Sequence, residues 1–182
     1  ISRASASLMT ESGATPSPYS QVRAILWDPE LCKGPKFYIN HNGEWFFNDS
    51  LIKRHNLCVL FSRIIKRDKK NYYLVTPVEK IELECAIAPY KIIDFEIDDT
   101  DNILFKTNLD FAYKPQNSYS SRLAEYDFQL VPVIEVRNGI EGYFDRNVYY
   151  KLADLVNHYG LEEDNKIILK FANISFDLGI SS

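Results

Sequence analysis

Short apolar runs separated by turn-forming residues characterise the first part of the chain. Hydrophobic residues flank Asn42-Gly43, a pair that favours the tight turn of a β-hairpin. Apolar residues at spacings of three and four follow and predict an amphipathic helix: Leu57, Leu60, Phe61, Ile64 and Ile65. The charged segment Lys66–Asn71 ends this predicted helix, and strands are predicted at Tyr72–Val75 and Lys80–Ala86.

The middle of the chain predicts further strands. Two of them, Lys91–Ile97 and Ile103–Thr107, are expected to form a hairpin around the acidic turn Asp98–Asn102. The polar segment Tyr113–Arg122 predicts a loop, because it is rich in Ser and Asn. Tyr126–Val136 then predicts one long strand.

The end of the chain repeats the order of elements predicted at its beginning. A second Asn-Gly pair, Asn138-Gly139, precedes a second helical stripe: Val148, Leu152, Leu155, Val156 and Tyr159. Asp145 is the predicted N-cap of this helix and Gly160 its C-terminal stop. Strands are predicted at Lys166–Phe171 and Ile174–Leu178.

Aligned at an offset of roughly 96 positions, both blocks give strand, Asn-Gly turn, aromatic strand, helix and strands. We therefore predict an α+β fold of two similar small units made by internal duplication, with chance similarity as the alternative. The N-terminal unit is placed at residues 21–89 and the C-terminal unit at residues 90–182. Residues 1–20 are rich in Ser, Ala, Thr and Pro, which predicts a tail that is disordered or partly foreign, with Met9 as a candidate native start.

Charge and hydropathy argue against two classes of protein. The 182 residues include 21 Lys and Arg against 25 Asp and Glu, and this net charge of −4 argues against a nucleic-acid binder. No apolar run reaches the roughly 20 residues that a membrane-spanning helix needs. The sequence therefore predicts neither nucleic acid binding nor a membrane span.

The cysteine and histidine positions favour a reducing compartment and no metal. Cys32, Cys58 and Cys85 are far apart, and none of the three histidines lies within ligand spacing of a cysteine. An odd number of separated thiols favours the cytoplasm, where disulfides are rare.

Known catalytic motifs are absent from the sequence. The acidic run Glu96, Asp98, Asp99 and Asp101 lacks the glycine and the final glutamate of a calcium-binding loop, so it predicts a solvated turn. No nucleophile elbow, zinc-protease motif or glycine-rich phosphate loop occurs. We therefore predict no catalytic residue, no metal and no cofactor.

Several ordered blocks of sequence fall between Trp27 and Leu178: FYINHNGEWFFNDSLIKRHNLCVLF, YYLVTPVEK, APYKIIDFEI, FKTN and VIEVRNGIEGYFDRNVYYKLADL. In this order they resemble an uncharacterised bacterial family, domain of unknown function 1285. The resemblance implies an α+β fold with an internal duplication and a C-terminal half similar to pleckstrin-homology-like folds. It also implies a ligand site between the halves and a role in signalling, but no known activity.

Basic residues are concentrated in one segment of the N-terminal unit. Seven of the 21 lie close together with only Asp68 between them: Lys53, Arg54, Arg63, Lys66, Arg67, Lys69 and Lys70. One interpretation is a surface for an anionic ligand or an acidic partner. The alternative is a solvated helix whose last turn carries cations that suit the helix dipole.

The candidate ligand-binding residues come from the blocks that carry the resemblance. They are Thr76, Glu79, Lys80, Thr107, Asn108, Arg137 and Arg146. The two arginines flank a turn and a helix start, where a guanidinium can hold a phosphate or a carboxylate with two hydrogen bonds. A structural ion pair with Glu135 or Glu141 is the alternative for both arginines.

Together these features predict a non-catalytic cytoplasmic protein that binds a small anionic ligand, nucleotide-like among the candidates, between its two units. Signalling is the expected role, and a partner protein is a further candidate. One alternative is an enzyme that acts on a phosphorylated small molecule in the same cleft. Another is a protein-interaction module without a pocket. The sequence does not determine the oligomeric state.

Overall fold

The computed structural model describes residues 28–180, which fold as an α+β protein built mostly from β-strands. The tail at residues 1–20 and the candidate start at Met9 lie outside the described residues. The first half of the described chain forms a six-stranded sheet and one helix. These elements are β1 Phe37–Ile39, β2 Trp45–Phe47, β3 Ser50–Leu51, α1 His55–Arg63, β4 Ile65–Asp68, β5 Asn71–Val75 and β6 Lys80–Cys85.

The second half of the chain forms another six-stranded sheet, two helices and a three-stranded sheet. The strands of the six-stranded sheet are β7 Tyr90–Ile97, β8 Ile103–Thr107, β9 Ala112–Tyr113, β10 Ser121–Tyr126, β11 Gln129–Arg137 and β12 Ile140–Phe144. The elements that follow are α2 Arg146–Asp154, α3 Val156–Tyr159, β13 Gly160–Glu163, β14 Lys166–Lys170 and β15 Ser175–Ile180.

The two six-stranded sheets have the same layout. The strand order is β3-β2-β1-β6-β5-β4 in one and β10-β11-β12-β7-β8-β9 in the other. In each, the first and the last strand in chain order lie side by side at the centre and are parallel, while all other neighbours are antiparallel. This shared topology is that of two similar units and fits an internal duplication.

The repeat does not follow the alignment predicted from the Asn-Gly turns. The first turn joins β1 to β2, whereas the second joins β11 to β12, so the two turns occupy different places in their sheets. Helix α1 lies between the third and fourth strands of its sheet, but α2 follows the sixth. Strands β1 to β6 are therefore equivalent, in the same order, to strands β7 to β12. The helices lie outside the repeat.

The predicted strand at Tyr126–Val136 is instead a hairpin. Asp127 and Phe128 both adopt a left-handed backbone, with φ of 49° and 59°, and join β10 to β11. Positive φ at both central residues is the geometry of a two-residue turn for which Asn-Gly is the usual sequence. An Asp-Phe pair is not a typical sequence for that turn, so the sequence did not predict it. The loop predicted at Tyr113–Arg122 also differs from the structure, because part of it is strand.

The first helix is shorter than its predicted stripe. It ends at Arg63, and Ile65 begins β4, so the basic segment after it lies on an edge strand and in a turn. The helix buries Cys58 and Ser62, while Leu60 is 55% exposed. The expected burial of Leu60 was wrong, because a nine-residue helix presents one narrow face to the sheet.

The second helix confirms its predicted start but not its predicted stop. The Asp145 side chain accepts a hydrogen bond from the Asn147 backbone N–H at 3.0 Å, as an N-cap does. Helix α2 ends at Asp154, and Val156–Tyr159 forms a separate short helix. Gly160 is not a left-handed stop: its φ is −85° and it opens β13.

One hydrophobic core joins the two six-stranded sheets, α2 and the three-stranded sheet. Its most deeply buried large side chains come from every layer: Trp45, Tyr90, Ile92, Phe105, Ile134, Leu152 and Leu169. Burial of apolar surface on this scale is the main force that holds the halves together.

We expect Leu152→Ala to lower the free energy of unfolding by about 2–5 kcal/mol, because Leu152 is fully buried and its removal leaves a cavity. The matched control, Leu60→Ala, should change the free energy of unfolding by less than about 0.5 kcal/mol, since Leu60 is exposed. Urea denaturation of both variants measures this difference. An equal loss of unfolding free energy in the two variants would contradict the placement of Leu60 on the exposed face of α1.

We expect Asp127→Asn combined with Phe128→Gly to raise the free energy of unfolding by about 1 kcal/mol, because Asn and Gly tolerate positive φ. Phe128 is 96% exposed, so its loss removes little packing. The control is Asp127→Ala combined with Phe128→Ala. Alanine keeps a β-carbon at both positions, so this variant should not raise the free energy of unfolding. Thermal unfolding of the two double variants compares them, and a gain for the Ala pair would refute the explanation.

Candidate functional site

A cleft of about 700 Å³ opens where the first six-stranded sheet meets the second. Most of the side chains that line it are charged or polar. They are Tyr38, Arg67, Lys70, Asn71, Tyr72, Glu82, Glu84, Cys85, Arg122 and Glu141, with Leu83 and Ile87. Its volume is within the range of small-molecule sites, although its lining is more polar than is usual for them.

Glu141 is the buried charge at the bottom of this cleft. Its carboxylate accepts two hydrogen bonds from Arg122, Nε to Oε1 at 2.9 Å and Nη2 to Oε2 at 2.7 Å. Tyr72 donates its hydroxyl to Oε2 at 3.0 Å, and Arg67 Nη1 lies 3.1 Å from Oε1. Since Arg67 and Tyr72 belong to the first sheet and Arg122 and Glu141 to the second, this cluster ties the two sheets together.

The strands fix the geometry of this Glu141 cluster. Every residue of β12 is buried, so Glu141 has little access to bulk water and needs partners. Arg67 lies opposite Tyr72 in the β4–β5 pairing, and its guanidinium carbon is 5.7 Å from the Tyr72 ring centroid. Arg67 also donates to the Gly139 carbonyl at 2.6 Å, which holds it against the β11–β12 turn.

The pKa shifts in the cluster reflect burial and these contacts. Burial acts to raise the pKa of Glu141, but the hydrogen bonds from Arg122 and Tyr72 and the two positive charges outweigh it and lower the pKa. Burial, followed by the Glu141 charge, raises the pKa of the Tyr72 hydroxyl well above its usual value. At neutral pH, Glu141 is therefore ionised and Tyr72 remains a hydrogen-bond donor.

Cys85 is the thiol in the cleft, and its surroundings disfavour the thiolate form. Burial, together with the nearby Glu84 carboxylate, raises the pKa of Cys85 far above its usual value. A thiol must ionise to act as a nucleophile, so Cys85 is not an activated one. Cys32 and Cys58 are also free thiols.

Three of the residues predicted from sequence lie at the β5–β6 connection. Thr76 forms the turn: its hydroxyl accepts a hydrogen bond from the Glu79 backbone N–H at 3.0 Å. Glu79 is exposed in that turn. The Lys80 ammonium lies 3.3 Å from Asp28 and 4.7 Å from the Tyr73 ring centroid. Lys80 and Arg67 line a smaller cavity of about 340 Å³.

Thr107 and Asn108 lie at the end of β8. The Thr107 side chain is buried, and its hydroxyl accepts a hydrogen bond from the Phe111 backbone N–H at 3.3 Å. Asn108 accepts from the Lys91 N–H at 3.0 Å and donates to the Gly43 carbonyl at 3.4 Å. A β-carbon at Gly43 would lie 2.7 Å from Asn108 Nδ2, so a larger residue there would displace the Asn108 side chain. Asn108 lines a separate cavity of about 420 Å³.

The two predicted arginines lie apart from each other. Arg137 donates Nε to the Tyr90 hydroxyl at 3.0 Å and Nη2 to the Ser62 carbonyl, so it bridges the second sheet and α1. Arg146 is exposed on α2, where Nε and Nη2 each lie 3.1 Å from the Tyr150 hydroxyl. The alternative of an ion pair with Glu135 or Glu141 was wrong for both within residues 28–180.

The structure thus distributes the seven predicted residues over several neighbourhoods, and ligand binding by them stays a prediction. None of the seven lines the cleft of about 700 Å³ beside Glu141. Sequence reasoning did not single out Arg67, Tyr72 and Arg122. One signal was available: Glu141 is the charged residue of the otherwise apolar strand IEGYF, and a buried carboxylate requires basic partners.

Among residues 28–180, no group of three or more His, Cys, Asp and Glu side chains is placed to hold a metal ion. No helix in this part of the chain is both long and apolar enough to cross a membrane.

The fold and the cleft define a class of protein with two similar six-stranded sheets and a polar cleft at their junction. Residues 24–88 match the family model described as the N-terminal domain of the domain of unknown function DUF1285. The chain is similar to the crystal structure of a DUF1285 family protein from Silicibacter pomeroyi DSS-3, with 28% sequence identity and a TM-score of 0.74 over 93% of this chain and 90% of that chain.

A second similar crystal structure is that of a DUF1285 family protein from Shewanella baltica OS155. It has 25% sequence identity and a TM-score of 0.57 over 66% of this chain and 91% of that chain. No functionally curated protein matches the chain. The match over residues 24–88 and the two similar crystal structures confirm the resemblance to domain of unknown function 1285 that the sequence predicted.

We expect Glu141→Gln to destabilise the protein, because it removes the charge that pairs with Arg67 and Arg122. The folded-state pKa of Glu141 lies below the unfolded value, so its contribution is complete above about pH 5 and is lost as the pH falls through the folded pKa. The stability difference between wild type and Glu141→Gln should therefore shrink in acid. Urea denaturation from pH 7 to pH 3 measures it.

The control for that experiment is Glu125→Gln. Glu125 is exposed and has no ion pair within residues 28–180, so its substitution should leave stability unchanged across the same pH range. A Glu141→Gln deficit that persists undiminished at pH 3 would show that packing, and not the charge, stabilises the cluster.

Proposed function

We propose that this protein binds a small anionic ligand in the cleft beside Glu141 and does not catalyse a reaction there. The observation that carries the proposal is the pair of guanidinium groups that Glu141 holds at the cleft. Arg67 Nη2 and Arg122 Nη1 have no hydrogen-bond partner among residues 28–180. Because contacts with Glu141 already hold both guanidinium groups in place, they lose little conformational entropy when they bind an anion. This supports the assignment.

The two arginines suit a phosphate or a carboxylate. A guanidinium forms charge-assisted hydrogen bonds that are shorter and stronger than neutral ones. Because Arg67 comes from the first sheet and Arg122 from the second, an anion bound to both would bridge the halves. Tyr38 is 40% exposed in the same cleft and offers a ring on which a nucleotide-like ligand could stack.

The titratable groups of the cleft favour binding over catalysis. Burial and neighbouring charges raise the pKa of Tyr72 and Cys85 and lower that of Glu141. Each shift moves the pKa away from neutrality, whereas a general acid or base works best with a pKa near the operating pH. These shifts support a binding protein over an enzyme that acts on a phosphorylated molecule.

A signalling role, a cytoplasmic location and a pleckstrin-like C-terminal half belong to this proposal. The duplicated sheets support signalling, because a ligand that bridges two halves changes the equilibrium between their arrangements. The three free thiols fit a reducing compartment.

A protein-interaction module is the second candidate function. The β10–β11 turn exposes 96% of Phe128 and 51% of Leu130, and Phe128 has a left-handed backbone. Backbone strain together with an exposed aromatic side chain is a feature of recognition loops. Failure of all anionic ligands to bind would favour this candidate.

We expect adenosine and guanosine monophosphate to raise the melting temperature of the wild-type protein. Arg122→Lys should weaken their binding by about tenfold to a hundredfold, because lysine keeps the charge beside Glu141 but loses the two-nitrogen fork. Isothermal titration calorimetry measures the affinities, with circular dichroism to verify folding. Unchanged affinity in Arg122→Lys would overturn the site.

The residues predicted from sequence provide the comparison. Lys80→Ala and Arg146→Ala change cations outside the cleft, so on this proposal both should bind the nucleotides as the wild type does. A loss of affinity in either variant, with Arg122→Lys unaffected, would instead assign the ligand to the seven residues predicted from the sequence.

A further inference from the structure

A second cavity, of about 420 Å³, opens at the beginning of helix α1. Its walls come from both halves of the chain: the β1–β2 connection, β2, β3 and α1 in the first half, and the β8–β9 connection in the second. This α1 cavity shares no lining residue with the cleft beside Glu141. It is therefore a separate cavity, and its volume is within the range of small-molecule sites.

The N-terminus of α1 at this cavity has no cap. Arg54 occupies the N-cap position, where its side chain makes no hydrogen bond to the helix, and the first turn holds no acidic residue. A guanidinium group has only donors, so it does not satisfy the N–H groups of a helix. The backbone N–H groups of His55 and Asn56 have no acceptor in the part of the chain that the structure describes. Such free N–H groups, together with the helix dipole, attract an anion.

A second observation, independent of the helix, also indicates a missing acceptor. Trp45 lines the α1 cavity and is 1% exposed, and its buried indole N–H has no hydrogen-bond partner among residues 28–180. A buried donor without an acceptor costs free energy, so such groups in native proteins usually have a partner. A molecule in the cavity is placed to supply the acceptor that Trp45 lacks.

The charges around the cavity favour a ligand with a single negative charge. Lys53 lines the cavity and is exposed, and within the described residues it forms no ion pair. Glu44 also lines the cavity, and His55 Nε2 lies 2.8 Å from Asp110 Oδ2. Lys53 and the helix N-terminus balance one negative charge, whereas the second charge of a phosphate dianion would be repelled by the two carboxylates.

Most of the other lining residues are apolar and suit a hydrophobic group. They are Trp45, Leu51, Ile52, Cys58 and Leu109. We propose that the α1 cavity binds a small monocarboxylic acid with an apolar body. Its carboxylate accepts hydrogen bonds from the first turn of α1 and from the Trp45 indole, Lys53 balances its charge, and its body packs on the apolar wall. This site is independent of the proposed function, which concerns the cleft beside Glu141.

Two probes of nearly the same shape test the charge of the ligand. Phenylacetate carries the carboxylate, and phenylacetamide replaces it with a neutral amide. By isothermal titration calorimetry we expect the wild-type protein to bind phenylacetate at least about tenfold more tightly, because hydrogen bonds to a charged group are the stronger ones. Lys53→Gln should weaken phenylacetate binding by about tenfold. The control Lys170→Gln removes an exposed lysine from β14, outside the cavity, and should leave the affinity unchanged.

Two substitutions at the N-cap test the role of the helix. Arg54→Ser introduces a hydroxyl that accepts a hydrogen bond from the first turn of α1, whereas Arg54→Ala removes the same charge without supplying an acceptor. We expect Arg54→Ser to unfold at a higher temperature than Arg54→Ala and to bind phenylacetate about fivefold more weakly, since one N-cap contact is worth about that factor in affinity. Equal affinity in the two variants would overturn the assignment of the carboxylate to α1.

The indole N–H of Trp45 provides a direct readout that avoids replacing a fully buried side chain. The chain has two tryptophans, Trp27 and Trp45, so the Trp27→Phe variant leaves a single indole signal in a nitrogen–proton correlation NMR spectrum. Phenylacetate should move this proton signal downfield, because the N–H gains an acceptor.

The combined results decide the proposal. Tighter binding of the acid than of the amide, a downfield shift of the Trp45 signal and a loss of affinity in Lys53→Gln would support it. Absence of phenylacetate binding at millimolar concentration, or equal affinity for the acid and the amide, would overturn it. Binding that leaves the Trp45 signal in place and is unaffected by Lys53→Gln would assign phenylacetate to another part of the protein and overturn it as well. The nucleotide titrations of the Glu141 cleft test the proposed function separately.

Discussion

The ion cluster around Glu141 is the constraint on which the cleft at the junction of the two sheets depends. A carboxylate that is 4% exposed is costly unless it is paired and hydrogen-bonded, and here two arginines and a tyrosine supply those contacts. Because the partners come from both sheets, the same contacts fix the relative position of the halves and the shape of the cleft. The arginines that satisfy Glu141 are also the donors proposed to bind the ligand.

The duplicated topology explains why a cleft forms at this junction. Each sheet is made of two three-stranded antiparallel segments that meet in a central parallel pair, β1 with β6 and β7 with β12. The connection from β6 to β7 is short, so the centre of the first sheet leads directly into the centre of the second. The ends of those central strands carry Cys85 and Glu141, and both line the cleft.

The charge of the cleft differs from the charge of the chain. The chain is mildly acidic, with a net charge of −4, whereas the cleft is lined by three basic and three acidic side chains. Net charge describes solubility and long-range attraction, but recognition depends on which charges lack partners. The basic segment at Lys66–Lys70 contributes only in part: Arg67 and Lys70 line the cleft, and the rest of the segment lies outside it.

The sequence by itself determined the fold class, most strands and the N-cap at Asp145, because these depend on local periodicity and on hydrogen bonds between near neighbours. It also carried the family resemblance, which the comparisons confirmed. Tertiary structure decided which strands are equivalent in the repeat, the exposure of Leu60 and the composition of the site. In the site, Arg67 contacts Glu141, which lies 74 positions further along the chain. Contacts at that separation follow from how the sheets pack, which no local pattern encodes.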